Sequence, residues 1–414
     1  MTMPQSSAGR MSPKRLVAIV CAAQVLAQIG AYAWPALIPG RMTEWGIDNS
    51  EAGWITGLFY LAYAIAVPVL VTATDRVDPK RIYLLGVALT VVGHLCFATV
   101  ADGFWTAALA RVLAGIGWAG TYMTGLKLLA DRVDGRLMSR AVAGHALSIG
   151  LAGAASFLFA GVLDELFGWR SVFWGSAGCA VAAWLTVALA APAQPPRTEP
   201  PAGRLFDFGP VLRNRSAMAY AVAYCVHTWE MNTLRGWGVA FLAWVAATTG
   251  EDPWLSATVA ITLVGLVGTW ASVAGNELSI RFGRQRLVRL AMLASAACAA
   301  LIGFVGSASY ELAVALVLVY GVVIWLDSSS LTAGAAGSAA PGRRGATLAV
   351  HSMFGYAGGF VGPLVMGVIL DLAGGMSTTG WGLGFLHVAA AMLLGRIAFA
   401  LLRPQALEGD RADG

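Results

Sequence analysis

The sequence is poor in charged residues and lacks the motifs of a soluble enzyme. Only 12% of its 414 residues are charged, whereas a soluble domain usually has about 25%. It contains no nucleotide-binding loop, no nucleophile motif and no zinc-ligand spacing. Its five cysteines are scattered through apolar runs without a C-x-x-C pair. These absences argue against a soluble enzyme, a nucleic-acid-binding protein and a disordered scaffold, and they predict neither a cofactor nor a metal site.

Apolar residues dominate instead, at 58% of the chain with a mean hydropathy of +0.70. A helix needs about 20 such residues to cross roughly 30 Å of hydrocarbon, and twelve runs are long enough. The runs are continuously apolar and do not alternate like the strands of a membrane barrel, so we predict an all-α membrane protein with twelve transmembrane helices. The runs cover residues 16–39, 52–73, 82–100, 104–130, 141–163, 172–191, 217–246, 254–275, 287–306, 312–335, 346–370 and 381–402.

The distribution of lysine and arginine predicts the orientation in the membrane, because basic residues in short loops stay on the cytoplasmic side. With the N-terminus inside, 21 of the 27 basic residues lie in cytoplasmic segments and only Arg41 and Arg170 lie outside. The net charge of +5 thus reflects topology and needs no nucleic-acid partner. We expect an inner-membrane protein with cytoplasmic tails at 1–15 and 403–414. The remaining four basic residues lie within predicted spans: Arg111, Lys127, Arg235 and Arg396.

The chain divides near its middle. Five prolines between Pro192 and Pro201 are typical of an extended linker, so we predict a cytoplasmic linker at 192–216 between six-helix bundles at 16–191 and 217–402. A cleaved signal peptide ending near Ala31 and Ala33 is an alternative interpretation of the first run. Its removal would leave an odd number of helices.

The two halves repeat each other at an offset of about 206 residues. The basic loops 75–81 and 280–286 also coincide to within one residue. Such internal symmetry is typical of transporters built from two related bundles. The matching pairs are Gly115 and Gly321, His145 and His351, Gly153 and Gly359, and Gly161 and Gly367.

The loop after the second span resembles the G-x-x-x-D-R-x-G-R-R signature of the major facilitator superfamily, which would place Asp75, Arg76 and Arg81 in the motif. Val71 and Asp78 occupy its two glycine positions. The resemblance implies that Asp75, Arg76 and Arg81 latch the cytoplasmic side, with the carboxylate of Asp75 directed at the start of the eleventh span.

Two further segments resemble the same family. The fourth span carries Arg111-x-x-x-Gly115-x-Gly117, similar to the pattern R-x-x-x-G-x-G. In the fifth span the family's antiporter motif would have Gly-Pro where this chain has Ser156-Phe157. The resemblance implies two six-helix bundles around a central cavity lined by spans 1, 4, 7 and 10. It also implies alternating access, with His145 and His351 as gate or packing residues between the bundles.

Ionisable residues inside a membrane usually face an interior or a wet cavity, and the seventh span holds three. At about 100° per residue, His227, Glu230 and Arg235 fall within an arc of about 140°, so we predict that one helix face presents all three to a proton and an anionic group. The alternative is that Glu230 and Arg235 pair with neighbouring helices and only hold the bundle.

The tenth span places Tyr320 and Asp327 on one face, seven residues apart. We predict that Asp327 exchanges protons and that Arg111 or Arg235 is its partner; the alternative is a hydrogen-bonded structural carboxylate. Arg111 itself is either an anion clamp or a structural arginine. Tyr122 of the fourth span joins these candidates.

The first span offers Gln24, Gln28 and Tyr32, each four residues after the last, and therefore one polar stripe. The stripe suits a polar solute. Hydrogen bonds between helices, which are common for glutamine in membranes, are the equal alternative.

Together these features predict a secondary transporter of a small polar, anionic solute, coupled to protons through Glu230 or Asp327. We predict an anionic solute because three basic side chains near the cavity, Arg111, Lys127 and Arg235, outnumber the two carboxylates within the spans. The partners are then the solute, protons and the lipid bilayer, and the working unit is a monomer. Efflux of amphipathic drugs or lipophilic cations, favoured by 15 tryptophans and 16 phenylalanines, is one alternative, and a non-transporting receptor with this fold is another.

Overall fold

The computed structural model describes residues 12–133, 135–193, 207–407 and 410. Within these ranges the secondary structure is helical and contains no strand. The predicted tail residues 1–11, most of the linker (194–206) and the end of the chain after residue 407, except for residue 410, lie outside the described residues.

The first half forms six spanning units, α1 to α6, two of which are interrupted. The units follow one another through short loops, so each crosses in the direction opposite to the last. Their bounds are α1, Pro13–Gln28 and Ala33–Trp45; α2, Asn49–Ala73; α3, Pro79–Val100; α4, Phe104–Ala119 and Tyr122–Ala130; α5, Gly135–Phe167; and α6, Trp169–Ala190.

The second half repeats this order in α7 to α12, after a short helix at Gly209–Arg213. The seventh unit therefore begins before residue 217, and part of the predicted linker is helical. The bounds are α7, Arg215–Thr249; α8, Ala257–Phe282; α9, Arg284–Val305; α10, Tyr310–Trp325 and Ser328–Gly337; α11, Arg344–Leu372; and α12, Thr378–Leu402.

Ten of these units, among the described residues, are long and apolar enough to cross a membrane. The other two predicted spans are α4 and α7, which are helical over their length apart from the break in α4. They hold the buried polar residues Arg111, His227 and Glu230. Two of the helices that contribute candidate site residues therefore fall outside this apolar set.

The interruptions of α4 and α10 lie at equivalent places. Residues 120–121 separate the two segments of α4 and residues 326–327 separate those of α10, an offset of 206. Broken helices at membrane depth free backbone groups and are tolerated where they face protein or a cavity. The same holds for residues 29–32 in α1, which also lie inside the bundle.

The bundle has two ends that differ in charge. We call the end that holds residues 74–78, 131–133, 283 and 338–343 the basic end, because most of the loop arginines lie there, and we call the other the opposite end. Helices α2 and α11, one from each half, pack closely from the opposite end inward. A side chain at Gly53 would meet the backbone of Pro363, and one at Gly57 the backbone of Phe360, so these glycines permit the contact.

The halves are joined from the opposite end to the level of Tyr63 and Tyr356, whose rings stack at 3.7 Å between centroids. Tyr63 lies fourteen residues into α2, a depth of about 21 Å at 1.5 Å per residue. Between this level and the basic end, no hydrogen bond, ion pair or ring contact among the described residues crosses from one half to the other. The structure is therefore closed at the opposite end.

Candidate functional site

Two arginines from opposite halves converge on the interruption of α1. Arg111 of α4 donates from Nη1 to the carbonyl oxygen of Ala31 at 3.0 Å. Arg235 of α7 donates from Nη1 to Oη of Tyr32 at 2.9 Å. The two guanidinium groups therefore bind adjacent residues of α1, Arg111 through the backbone of Ala31 and Arg235 through the side chain of Tyr32.

Neither guanidinium has a carboxylate partner among the residues that the structure describes. Arg111 is buried, its Cζ lies 4.1 Å from the centroid of the Phe59 ring, and its Nε and Nη2 have no hydrogen-bond partner in the part of the chain that the structure describes. Arg235 Cζ lies 5.0 Å from the ring centroid of Tyr32 and 4.9 Å from that of Trp325. Buried cations without a counter-ion are costly, and aromatic rings offset only part of that cost, so this arrangement favours an anion.

Ser156 and Phe157 hold Tyr32 in place. The backbone nitrogen of Tyr32 donates to Ser156 Oγ at 2.9 Å, and the Tyr32 ring stacks on Phe157 with centroids 5.3 Å apart. These residues stand where the antiporter motif would have Gly-Pro. The departure from that motif therefore positions the tyrosine that receives Arg235.

An aromatic cluster lies beside these residues, towards the basic end. Tyr356 of α11 contacts Tyr60, Tyr63 and Trp118 of the first half, with centroids 6.3, 3.7 and 5.7 Å away. The cluster crosses the interface between the halves, and its faces are suited to flat apolar groups and to cations.

Asp327 pairs with His227, not with an arginine. Asp327 Oδ1 lies 2.9 Å from His227 Nδ1, and both side chains are fully buried. Asp327 occupies the interruption of α10, which brings its carboxylate to α7. The expected partnership with Arg111 or Arg235 is wrong, because those arginines are engaged at the interruption of α1.

Glu230 faces the interior of the second half. The hydroxyl groups of Tyr320 and Ser295 approach its carboxylate, although neither makes a well-formed hydrogen bond with it in the described part of the chain. Arg235, by contrast, reaches across to the first half. The prediction that one face of α7 presents Glu230 and Arg235 together is therefore wrong: an arc of 140° is wide enough to span both the interface and the packed interior.

The rings of His227 and His351 both stack on Tyr224, with centroids 5.7 and 4.0 Å away. His351 Nε2 lies 3.3 Å from Thr332 Oγ1. Asp327, His227, Tyr224 and His351 thus form a continuous row of polar groups that runs towards the basic end. We did not identify Tyr224 from the sequence, although its position three residues before His227 places both on one helix face.

The glutamines of α1 bind neighbouring helices within the first half. Gln24 Oε1 accepts from Tyr83 Oη at 3.4 Å, and Gln28 Nε2 donates to Thr121 Oγ1 at 3.2 Å. The predicted stripe is therefore divided, since only Tyr32 reaches the other half. The geometry of the two glutamines matches the alternative of hydrogen bonding between helices.

The histidine of the first half also contacts its own bundle. His145 Nε2 lies 2.9 Å from the carbonyl oxygen of Tyr122, and the two rings stack at 5.8 Å. His145 and Tyr122 are thus positioned next to each other near the basic end, with Tyr122 only partly buried. A gating role for His145 and His351 stays a prediction.

The signature loop at the basic end holds a buried ion pair that we did not predict from the sequence. Arg76 and Arg81 are exposed, and Asp75 makes no side-chain hydrogen bond or ion pair within the described ranges. Asp78, which replaces a motif glycine, lies 2.8 Å from Arg132 Nη2 in a buried pair. The latch role of Asp75, Arg76 and Arg81 remains a prediction.

We expect Arg132→Met to destabilise the protein by about 3–5 kcal/mol, because it leaves Asp78 buried without this cation. Thermal unfolding of the purified protein in detergent measures the effect. Arg81→Met, at an exposed arginine of the same loop, is the matched control and should leave the midpoint unchanged. Equal midpoints for the two variants would show that the pair contributes nothing.

Among the residues that the structure describes, no three His, Cys, Asp or Glu side chains are grouped to hold an ion, and the five cysteines are free.

The broken helices, the polar groups at membrane depth and the internal repeat define a multi-pass membrane protein built from two related bundles. The chain belongs to the Major Facilitator Superfamily, whose family model matches residues 20–333. Its fold is the two-bundle, all-α fold predicted from the sequence.

The structural neighbours share this fold at low identity. A bacterial homologue of the human lysosomal transporter spinster, in an inward-facing and unoccupied conformation, has a TM-score of 0.78 at 14% identity and covers 98% of this chain and 100% of that one. The nucleoside transporter NupG has a TM-score of 0.76 at 14% identity, covering 94% and 100%.

Curated relatives match over parts of their length. The chain is 29% identical to a "Probable 4-methylmuconolactone transporter" of Cupriavidus pinatubonensis, over 33% of each protein. It is 30% identical to a chloramphenicol resistance protein of Streptomyces lividans, over 38% of this chain and 40% of that one. It is 23% identical to human protein spinster homolog 1, over 66% and 56%. The chain thus spans between a third and just over half of the length of these relatives.

Proposed function

We propose that the protein is a secondary active transporter that moves a small organic anion by alternating access, coupled to protons, in the cytoplasmic membrane. The observation that carries this proposal is the convergence of Arg111 and Arg235 on Ala31 and Tyr32. Both cations lack a carboxylate partner among the described residues: Arg235 crosses the interface between the halves to Tyr32, and Arg111 lies within the first half on the preceding residue, Ala31.

The aromatic cluster next to the arginines suits the apolar part of such a solute. The cluster is joined to Arg111 through Phe59, whose ring lies 4.1 Å from the guanidinium and contacts Tyr60 and Trp118. A flat organic carboxylate would use the rings and a guanidinium together. The relative named for 4-methylmuconolactone transport supports this class of solute.

Proton coupling is supported by the buried carboxyl groups of the second half. Ionisable groups at membrane depth are expensive and mark proton relays in many transporters. Asp327 and His227 form one such pair, and Glu230 lies behind them. The row from Asp327 through His227 and Tyr224 to His351 leads towards the basic end, with the rings of Tyr224 and the two histidines in stacking contact.

The distribution of basic residues supports a cytoplasmic location for the basic end. The structure would then be the inward-facing state, because the side-chain contacts between the halves, among the described residues, lie between the opposite end and the middle. One chain contains both halves and the whole candidate site, which supports a monomer as the working unit.

A ligand panel tests the class of solute. We expect 4-methylmuconolactone, benzoate or a related organic anion to raise the thermal midpoint of the purified protein, since a ligand at 100 times its Kd stabilises by about 2.7 kcal/mol. Choline and tetraphenylphosphonium serve as cationic comparators. Stabilisation by the cations alone would reject the proposal.

Drug efflux is a second candidate function, favoured by the same aromatic cluster, which can hold lipophilic molecules. The chloramphenicol resistance protein and the drug efflux pump JefA of Mycobacterium tuberculosis, 29% identical over 34% of this chain and 27% of that one, support it. Cells that lack the protein should then become sensitive to chloramphenicol, and anions should fail in the panel.

A further inference from the structure

Asp371, at the end of α11, binds the first turn of α2 in the other half. Its Oδ1 accepts from the backbone nitrogen of Asn49 at 3.1 Å and from Asn49 Nδ2 at 2.7 Å. Its Oδ2 accepts from the backbone nitrogen of Ser50 at 2.7 Å and from the Ser50 hydroxyl. One carboxylate thus receives four hydrogen bonds across the interface, at the opposite end of the bundle.

The start of α2 is arranged to receive this carboxylate. The first amide groups of a helix have no partner within the helix. Asp48 caps α2 by accepting from the backbone nitrogen of Glu51 at 2.7 Å, and Glu51 Oε2 accepts in return from Asp48 at 3.0 Å. This local cap leaves the amides of Asn49 and Ser50 for Asp371, whose negative charge also suits the positive end of the helix.

The backbones approach closely at the same place. Gly367 lies one turn before Asp371, and a side chain there would clash with the carbonyl oxygen of Asn49. Without this glycine, α11 could not come close enough for Asp371 to reach both amides. The contact is therefore built by two positions on α11.

The other half has no equivalent. The offset of 206 relates Asp371 to Glu165 and Gly367 to Gly161. Gly161 does pack against the start of α8 at Thr258, but Glu165 is exposed and binds none of the described residues of α8. The bond made by Asp371 is thus an addition to the packing that the two halves share.

We propose that Asp371 is the positioning residue that holds the opposite end closed and so stabilises the conformation seen here. The proposal rests on the alternating access of the proposed function. When the halves rock, α2 and α11 separate at this end, and the carboxylate must exchange its four donors for water. Loss of Asp371 therefore favours the conformation that is open at the opposite end and closed at the basic end.

Hydrogen–deuterium exchange of the purified full chain tests this without a solute. Asp371→Asn should slow exchange at the basic end, in Tyr122–Ala130 and Ser328–Gly337, because the population ratio of the two states should shift by about tenfold for a lost charge-assisted bond. Asp371→Glu should restore part of the wild-type exchange. Glu165→Gln is the matched control and should exchange like the wild type.

Faster exchange in Asp371→Asn confined to residues 48–52, with the basic end unchanged, would overturn the proposal and leave Asp371 as a local cap. If Asp371→Asn does not fold, Ser50→Ala removes one of the four donors and should produce a smaller change in the same direction, whereas no change there would count against the proposal. The measurement is independent of transport, so its failure is distinct from a failure to transport an organic anion.

Discussion

Arg235→Gln is expected to abolish most solute movement in proteoliposomes. The guanidinium reaches from α7 to Tyr32 and lies between two aromatic rings, where a bound carboxylate would find its main charged donor. Removing a charged hydrogen-bond donor from a buried ligand costs about 1.5–3 kcal/mol, which corresponds to roughly 10- to 100-fold in affinity. Initial rates of uptake and of exchange should fall together, because both require the same bound solute.

Two comparison variants sharpen this experiment. Arg235→Lys keeps the charge but not the planar fork, so it should recover only part of the rate. Arg396→Gln removes a half-buried arginine from α12, away from the interface, and should transport like the wild type. Normal uptake by Arg235→Gln would reject the role of this residue in binding.

Asp327→Asn should separate solute binding from proton movement. The substitution keeps the size of the side chain at the interruption of α10 but removes the charge that faces His227 at 2.9 Å. We expect solute-driven proton uptake to fall at least about tenfold, as for a lost member of an intramembrane proton relay, while solute exchange continues. A pH-sensitive dye inside the vesicles and labelled solute measure the two quantities.

Glu230→Gln is the second arm of that experiment. Glu230 lies between α7, α9 and α10, away from Tyr32, so its substitution should spare exchange as well. Loss of proton uptake in either variant, with exchange retained, would support coupling through the second half. Unchanged coupling in both variants would refute it, and an equal loss of exchange and coupling would indicate a structural defect.

The spans could be predicted from the sequence because hydrocarbon demands that every backbone group be satisfied, and a continuous apolar run can do so only as a helix. The interaction partners of individual side chains could not be predicted in this way. Angles around α7 place Glu230 and Arg235 within one arc, but they do not show where the boundary between the halves crosses that arc. Asp327 contacts His227 because α10 is interrupted at this residue. The interruption contains no proline, so the sequence does not indicate it.

Departures from a family pattern were also ambiguous in the sequence. Ser156 and Phe157 weaken an antiporter motif, yet in three dimensions they hold the tyrosine that Arg235 binds. Asp78 replaces a glycine of the signature and forms a buried pair with Arg132. In both places the replaced residue gains a specific contact whose partner is distant in the chain, so spacing alone could not identify it.

Under the proposed function, Tyr32 and an incoming anion would compete for the guanidinium of Arg235. In the present state Arg235 donates one hydrogen bond to the Tyr32 hydroxyl and so connects α7 to the first half. A solute that binds Arg235 would weaken the hydrogen bond between Arg235 and Tyr32. Solute binding and the relative motion of the two bundles would then be linked through the side chain of Arg235. Without solute, the hydrogen bond to Tyr32 would restrain this motion, and bound solute would remove that restraint.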